Sequence, residues 1–463
     1  MSKRRNNFSE ATSFLLPIVV GMTFPLQVIT NSSAFGAAPI LIIGLLLARF
    51  YLFGDSAATS LSTSKESSSL RIAMTALLLL ALTNIFVTGI VFDSLQSNNI
   101  LPPLYMIVSS GSIYFYYSRL ASKREVDWFI GGMVLMGSIS GIFFAYESIN
   151  KQIFQEITEY TRMAHEYSLN SIGLDSTDQD ASLFRIDLAY RSFGLLERHS
   201  TSALWVILAC FSYLRFQDNN NKSYIAIGLS MLTLLIAQNF TAIVVFIVVT
   251  YIFYRRIVRL APMLVTLCII PIIIIISIDI EKLTQFVNYV AELMESQFAL
   301  LLATDSRPDS SSYLGLILSE YERYLEELYS RPYQLILGYG IGSNPFYITS
   351  GDVGFIESVM RLGLPLWLYF TIQVVLLSKN VVNVSRKYLS SSSNHDNLKL
   401  ITSMTTIILA IWMMDVHYTA WINKSIFPII IFSIAILRRS DVNIAIVKKR
   451  KRQFVGFPFS AIR

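Results

Sequence analysis

Charged residues are scarce in this chain. Only 15% of its 463 residues are Asp, Glu, Lys or Arg, and 53% are hydrophobic, whereas soluble globular chains carry roughly 25% charged residues. This shortage excludes an ordinary soluble enzyme, a disordered protein and a nucleic-acid-binding domain. The formal net charge of +6 does not restore the last class, because we place most of the basic residues at a membrane surface.

Residues that ligate metals or bind nucleotides are also few. Two cysteines, Cys210 and Cys268, both lie in apolar runs, which excludes a disulfide scaffold and a cysteine-ligated metal site. None of the four histidines forms a His-x-x-x-His pair. The sequence also lacks a phosphate-binding Gly-x-x-x-x-Gly-Lys loop and a dinucleotide fingerprint. We therefore expect no metal and no cofactor.

Long apolar runs dominate the sequence instead. They are continuous rather than alternating and approach the length of about 20 residues that a helix needs to cross a bilayer. We predict an all-α polytopic membrane protein with about twelve transmembrane helices. A count of ten or eleven spans also fits the sequence, because the two runs within 223–254 and the last two runs are the least distinct. The predicted runs are 11–30, 36–53, 71–92, 101–118, 128–146, 200–216, 223–238, 240–254, 260–278, 352–377, 400–416 and 421–437.

Basic residues predict the orientation. Alternate loops carry Lys and Arg, which favours the cytoplasmic side and places both termini there. On the other side, loop 147–199 holds nine acidic and five basic residues, and loop 279–351 holds ten and four. Apolar residues recur at helical spacing in the second loop, so we expect amphipathic helices. The whole chain, 1–463, is then one integral membrane domain with two large external loops and a basic cytoplasmic tail, 438–463.

The end of the second loop carries candidate binding residues. Gly338, Gly340 and Gly342 alternate there and permit a close backbone approach or a positive φ. The next predicted span begins at Asp352 and carries Glu357 and Arg361 four residues apart, on one helical face. Charges in a span are costly and usually face a cavity or a partner, so these two either contact substrate or neutralise each other.

The end of the first loop crowds cations at the predicted outer surface. Arg191, Gly194, Arg198 and His199 directly precede the sixth span. One interpretation is interfacial anchoring of long side chains. The other is recognition of phosphate, because arginine binds its oxygens bidentately and keeps its charge.

Together these motifs resemble the O-antigen polymerase and ligase superfamily of polytopic bacterial glycosyltransferases. The matching residues are Arg-x-x-Gly at 191–194, Ser306-Arg307, Leu-Gly-Tyr-Gly-Ile-Gly at 337–342, and Ser-x-Asp-x-Gly-Phe from 350 followed by Gly363. Arg331 and Gly342, with ten residues between them, also have a spacing described for this family. Ligases usually carry a histidine where this chain has Asp352, which favours a polymerase.

The resemblance implies a substrate and a location. The growing glycan would pass from polyprenyl pyrophosphate to the non-reducing end of an incoming lipid-linked repeat unit, as in synthesis of O-antigen or a related lipopolysaccharide or surface polysaccharide. The enzyme would be a multi-pass protein of the bacterial inner membrane with its active site facing the periplasm. Expected partners are this lipid-linked oligosaccharide, membrane lipids and, within the family, a chain-length regulator and a flippase, but no nucleic acid.

Site roles follow from this chemistry. The candidate general bases are Asp352, Glu357 and His199, in decreasing preference. The arginines expected to hold pyrophosphate are Arg191, Arg198, Arg307, Arg331 and Arg361. Gly194, Gly338, Gly340 and Gly342 form the expected backbone loop around the substrate, and Asp415, His417 and Lys424 rank lower as a turn bordering the site.

Two other classes stay open. A ligase would run the same transfer onto lipid A core or protein. A lipid-linked oligosaccharide flippase would have a similar number of spans, but transporters more often show internal repeats and a site near the bilayer midplane. Neither feature is evident in this sequence, whose predicted bilayer centre is poor in charge.

Overall fold

Helices form every regular element in the part of the chain that the computed structural model describes. The described residues are 2–53, 108–151, 157–171, 194–196, 198–217, 220–237, 239–254, 354–388, 395–415 and 425–437, with short pieces at 322, 325–326, 329–330, 332, 334–338 and 423. In chain order the helices are α1 (Ser2–Thr30), α2 (Ala38–Phe53), α3 (108–115), α4 (Lys123–Ile149), α5 (Glu159–Ser171), α6 (His199–Leu214), α7 (Asn220–Ile236), α8 (Phe240–Tyr254), α9 (Gln334–Leu337), α10 (Gly354–Leu362), α11 (Leu364–Tyr388), α12 (His395–Met414) and α13 (Phe427–Leu437).

Three helices in the described part of the chain are long and apolar enough to cross a membrane. They are Asn7–Thr30 within α1, Lys123–Ile149 and Asp396–Met414. Helices α6, α7 and α8 have 16, 17 and 15 residues. At about 1.5 Å per residue these reach about 23–26 Å, slightly less than the roughly 30 Å hydrocarbon core.

The boundary between α7 and α8 lies where the sequence predicts it. Helix α7 ends at Ile236 and α8 begins at Phe240. Asn239 accepts a hydrogen bond from the backbone N–H of Ala242 at 2.9 Å, and this bond satisfies a donor at the start of α8. The predicted runs 71–92 and 260–278, and the first residues of 101–118, lie outside the described residues.

The sequence predicts one continuous span over 352–377, and this prediction is wrong in one respect. The structure divides this stretch into α10 and α11, separated by Gly363 with φ of +76°. Glycine in this left-handed conformation ends a helix at little cost, and Pro365 two residues later suits the first turn of the next one. A continuous apolar run therefore concealed a break.

Helix α4 is central to the packing. It lies between α1 and α6, and small residues allow both neighbours to approach closely. A Cβ atom added to Gly132 would overlap the carbonyl oxygen of Phe14 in α1, and one added to Gly137 would overlap that of Trp205 in α6. Trp205 is fully buried at this contact.

Polar contacts join several helices at one end of the bundle, called here the Lys123 end. They link the starts of α1, α4 and α12 with the end of α6. The contacts are Lys123–Asp396 at 3.0 Å, Arg124–Glu10 at 3.8 Å, Arg215–Asp127 at 3.6 Å and a hydrogen bond from Lys399 to the carbonyl of Gln217 at 2.9 Å.

A second set of polar contacts joins the opposite ends of the same helices, called here the Glu147 end. These contacts link the end of α4 to the segment before α6, the start of α6 to the segment before α13, and α10 to the residue after α12. They are made by Glu147 with Gly194, Thr201 with Asn423, and Ser358 with Asp415. Helices α4, α6 and α12 thus alternate in direction.

Candidate functional site

The start of α6 carries two of the predicted site residues. Arg198 occupies the position before the helix in an extended conformation, and its side chain does not cap the helix. His199 is the first helical residue, and its ring packs edge-to-face with that of Phe144, with the ring centroids 5.0 Å apart. Both residues are partly buried. A cation and a titratable ring therefore stand at a helix N-terminus, which itself favours anions.

The turn before these residues depends on Gly194. Its φ is +70°, a conformation that side chains rarely adopt. A Cβ atom at this position would lie 2.7 Å from the Ser202 hydroxyl oxygen and 3.0 Å from the Phe144 ring. Glycine at 194 thus permits the turn and its close packing on α6 and α4.

A buried carboxylate from α4 holds this turn. Glu147 is only 3% exposed. One oxygen accepts a hydrogen bond from the Gly194 backbone N–H at 2.6 Å. The other accepts hydrogen bonds from the hydroxyls of Thr158, at 2.7 Å, and Thr161. The carboxylate therefore joins the end of α4, the start of α5 and the turn at 194.

Helix α5 adds a further contact to the turn. The Tyr160 hydroxyl donates to the carbonyl oxygen of Leu195 at 2.6 Å. Burial, with a smaller contribution from the Glu147 carboxylate, raises the pKa of Tyr160 above its usual value. The phenol therefore keeps its proton, and this hydrogen bond, across the ordinary pH range.

The second group of predicted residues lies on α10. Arg361 donates to one oxygen of Glu357 through Nε at 2.8 Å and through Nη2 at 2.5 Å. The side chains are 19% and 8% exposed. The structure thus contains the neutralising pair that the four-residue spacing permits, and one oxygen of Glu357 is occupied by the Arg361 guanidinium.

Two glycines allow segment 336–338 to pack closely against the end of α10. Gly338 has φ of +68°, and a Cβ atom there would overlap the carbonyl oxygen of Arg361. A Cβ atom at Gly363 would in turn overlap the carbonyl oxygen of Ile336. The segment 336–338 and the break between α10 and α11 therefore touch backbone to backbone, which only glycine permits.

The two groups belong to one end of the bundle. Ser358, beside Glu357 on α10, donates to Asp415 at 2.8 Å. Asn423, further along the connection that begins at Asp415, donates to Thr201 in the first turn of α6 at 3.5 Å. Asp415, a lower-ranked candidate in the sequence, thus contacts α10, and Asn423 contacts the start of α6.

Half of the predicted site residues can be placed. Arg198, His199, Gly194, Glu357, Arg361 and Gly338 lie at the Glu147 end as described above. The others, Asp352, Arg191, Arg307, Arg331, Gly340 and Gly342, lie outside the described residues, as do the lower-ranked His417 and Lys424. Positions 322, 325–326 and 329–330 of loop 279–351, where the sequence predicts amphipathic helices, are helical.

Glu147 is not among the site residues that the sequence predicts. The available signal was an acidic residue at the end of an apolar run, where charge is costly unless it has partners. Within the described ranges, no group of three His, Cys, Asp or Glu side chains is arranged to hold a metal ion. The chain matches no protein-family model, and a comparison with curated proteins finds no match.

Proposed function

We propose that this protein is a multi-pass membrane glycosyltransferase that polymerises lipid-linked oligosaccharide repeat units. The observation that carries the proposal is that Arg198 and His199 lie at the same end of the bundle as the Glu357–Arg361 pair, where Asn423 bonds Thr201 and Ser358 bonds Asp415. A diphosphate ester at a bilayer surface needs such a cationic, partly desolvated setting, because a fixed cation stabilises its developing charge.

The distribution of basic residues supports an orientation of the protein in the membrane. The Lys123 end carries exposed Lys123 and Arg124 together with Arg119 and Lys399, and basic residues favour the cytoplasmic side. The Glu147 end then faces the periplasm. We extend this to about twelve spans, with both termini in the cytoplasm of a bacterial inner membrane.

The reaction is a displacement at an anomeric carbon. A hydroxyl oxygen of the incoming repeat unit forms a bond to C1 of the growing chain, while the C1–oxygen bond to diphosphate breaks and its electron pair leaves with the polyprenyl diphosphate. The hydroxyl proton passes to a general base. Asp352 is preferred for this role, and His199 is the alternative among the residues that the structure describes. Arg198 and Arg361 balance the charge on the leaving group.

Lipid tails have a place in this arrangement. Apolar side chains on α4, α7 and α8 are exposed, such as Ile142, Leu229 and Val244. These outward faces suit contact with lipid acyl chains, so a polyprenyl tail can lie in the bilayer while its diphosphate stays at the Glu147 end.

Reconstitution tests the function. Full-length protein in proteoliposomes is supplied with a synthetic polyprenyl-pyrophosphate repeat unit and no nucleotide sugar. We expect a ladder of products that differ by one repeat unit. Transfer only to an added lipid A core acceptor would indicate a ligase, and movement of unchanged substrate across the membrane would indicate a flippase; either result contradicts the polymerase.

A further inference from the structure

We propose that Glu147 is a positioning residue that holds the turn at 194–196 so that Arg198 meets the diphosphate of the donor lipid. This inference rests on the proposed function for the nature of the ligand. Glu147 does not itself touch the ligand in this account. It acts through the backbone that leads into α6.

The contacts of Glu147 are suited to this role. One of its oxygens accepts a hydrogen bond from the Gly194 N–H, and the other accepts from the hydroxyls of Thr158 and Thr161. A buried carboxylate is stable only with such donors. The donors come from loop 147–199, so the carboxylate fixes two separate parts of that loop to the end of α4.

The fixed turn lies close to Arg198. Gly194 is four residues before Arg198, and the residues Leu195 and Leu196 between them are buried at 9% and 1% exposure. The Leu195 carbonyl accepts from Tyr160 at 2.6 Å. The Phe144 ring, one helical turn before Glu147, packs on His199. Because this stretch is short and anchored, releasing Gly194 displaces the start of α6.

The test measures how tightly purified full-length protein binds farnesyl diphosphate, a short polyprenyl diphosphate. Glu147→Ala removes all three hydrogen bonds, and Tyr160→Phe is a milder variant that removes only the bond to Leu195. Glu147→Gln serves as the rescue, because its amide oxygen can accept from Gly194 and its amino group can donate to the threonine hydroxyls. Each affinity is measured on the folded fraction.

We expect Glu147→Ala to weaken binding about tenfold and Glu147→Gln to stay within about threefold of the unmodified protein. Tyr160→Phe should fall between them. In an Arg198→Ala background, Glu147→Ala should have little further effect, because a residue that acts through Arg198 loses its role when Arg198 is absent. This non-additivity separates positioning from a general loss of stability.

Glu125→Ala is the matched control. Glu125 is a buried carboxylate on the same helix at the Lys123 end, where it accepts from the Ser122 N–H at 2.6 Å and the Tyr116 hydroxyl at 2.9 Å. Its loss should lower thermal stability and leave affinity for farnesyl diphosphate within about twofold.

Two results separate the possible failures. If the unmodified protein binds farnesyl diphosphate and Glu147→Ala binds it equally well, or if the effects of Glu147→Ala and Arg198→Ala simply add, the positioning role is overturned and the proposed function stands. If the unmodified protein does not bind farnesyl diphosphate, the proposed function fails, and with it the ligand assigned to this site.

Discussion

Arg198 and Arg361 are the two described arginines assigned to the diphosphate, and they have different surroundings. Arg361 shares its charge with Glu357 within one helix. Arg198 stands where the backbone N–H groups of α6 begin, so the helix adds to its attraction for an anion. We therefore expect Arg198 to contribute more binding free energy and Arg361 more to the stability of α10.

Arg198→Ala should reduce transfer from a lipid-linked donor by about tenfold to a hundredfold, because it removes charge-assisted hydrogen bonds to phosphate. Arg198→Lys should recover only part of the activity, because an ammonium group cannot bind two oxygens in a fork. The initial rate of ladder formation in proteoliposomes measures this effect. Equal rates for all three proteins would remove Arg198 from the site.

The Glu357–Arg361 pair permits a sharper separation of structure from function. Arg361→Gln leaves a nearly buried carboxylate without its cation and should lower the free energy of unfolding by about 2 kcal/mol. Adding Glu357→Gln should restore most of that stability, as followed by thermal denaturation. Transfer activity should stay low in the double variant if Arg361 also serves the diphosphate. Recovery of both properties together would make the pair purely structural.

At the scale of elements, the site depends on where helices stop. The break at Gly363 ends α10 directly after Arg361, and the segment at Gly338 packs against that break. A single continuous helix through 352–377 would give the Gly338 segment no such place to pack. The glycines thus set the position of the ion pair relative to the second loop.

Gly363→Ala tests this dependence. The positive φ alone costs an alanine about 1–2 kcal/mol, and the added Cβ atom meets the Ile336 carbonyl. We expect lower thermal stability together with reduced transfer. Gly44→Ala is the control, because Gly44 lies in α2 with nothing within 4 Å of an added Cβ, and alanine should be neutral or stabilising there. A Gly363→Ala protein as stable and active as the control would contradict the packing described.

Element types were more predictable than contacts. The continuous apolar runs predict helices because no strand pattern competes with them, and Asn239 marks the boundary between α7 and α8. The break at Gly363 was not predicted, because one glycine in an apolar run is compatible with an unbroken span. Glu147 was missed because its donors lie 11, 14 and 47 residues further along the chain, and only the folded chain brings them together.

At the scale of the whole molecule, the proposed function requires the Glu147 end to face the periplasm. The polar contacts form two separate sets at opposite ends of α4, α6 and α12, and the proposed reaction uses only the Glu147 end. A protein with this end toward the cytoplasm could not receive repeat units that have been exported.

Single cysteines test that sidedness. Cys210 and Cys268 are first replaced by serine, and then Arg124→Cys and Arg162→Cys are made separately. Both positions are exposed, Arg124 at the Lys123 end and Arg162 on α5 at the Glu147 end. In intact spheroplasts, a membrane-impermeant maleimide should label the Arg162→Cys variant alone; labelling of the Arg124→Cys variant alone would place the site on the wrong side.

The most direct measurement of the central claim is photo-crosslinking. A polyprenyl diphosphate with a diazirine on its first isoprene unit is bound to the full-length protein and irradiated, and the labelled peptides are identified by mass spectrometry with excess farnesyl diphosphate as competitor. We predict competed labelling within 194–202 or 354–363, at the Glu147 end. Competed labelling confined to 119–127 or 395–399, at the Lys123 end, would contradict the account.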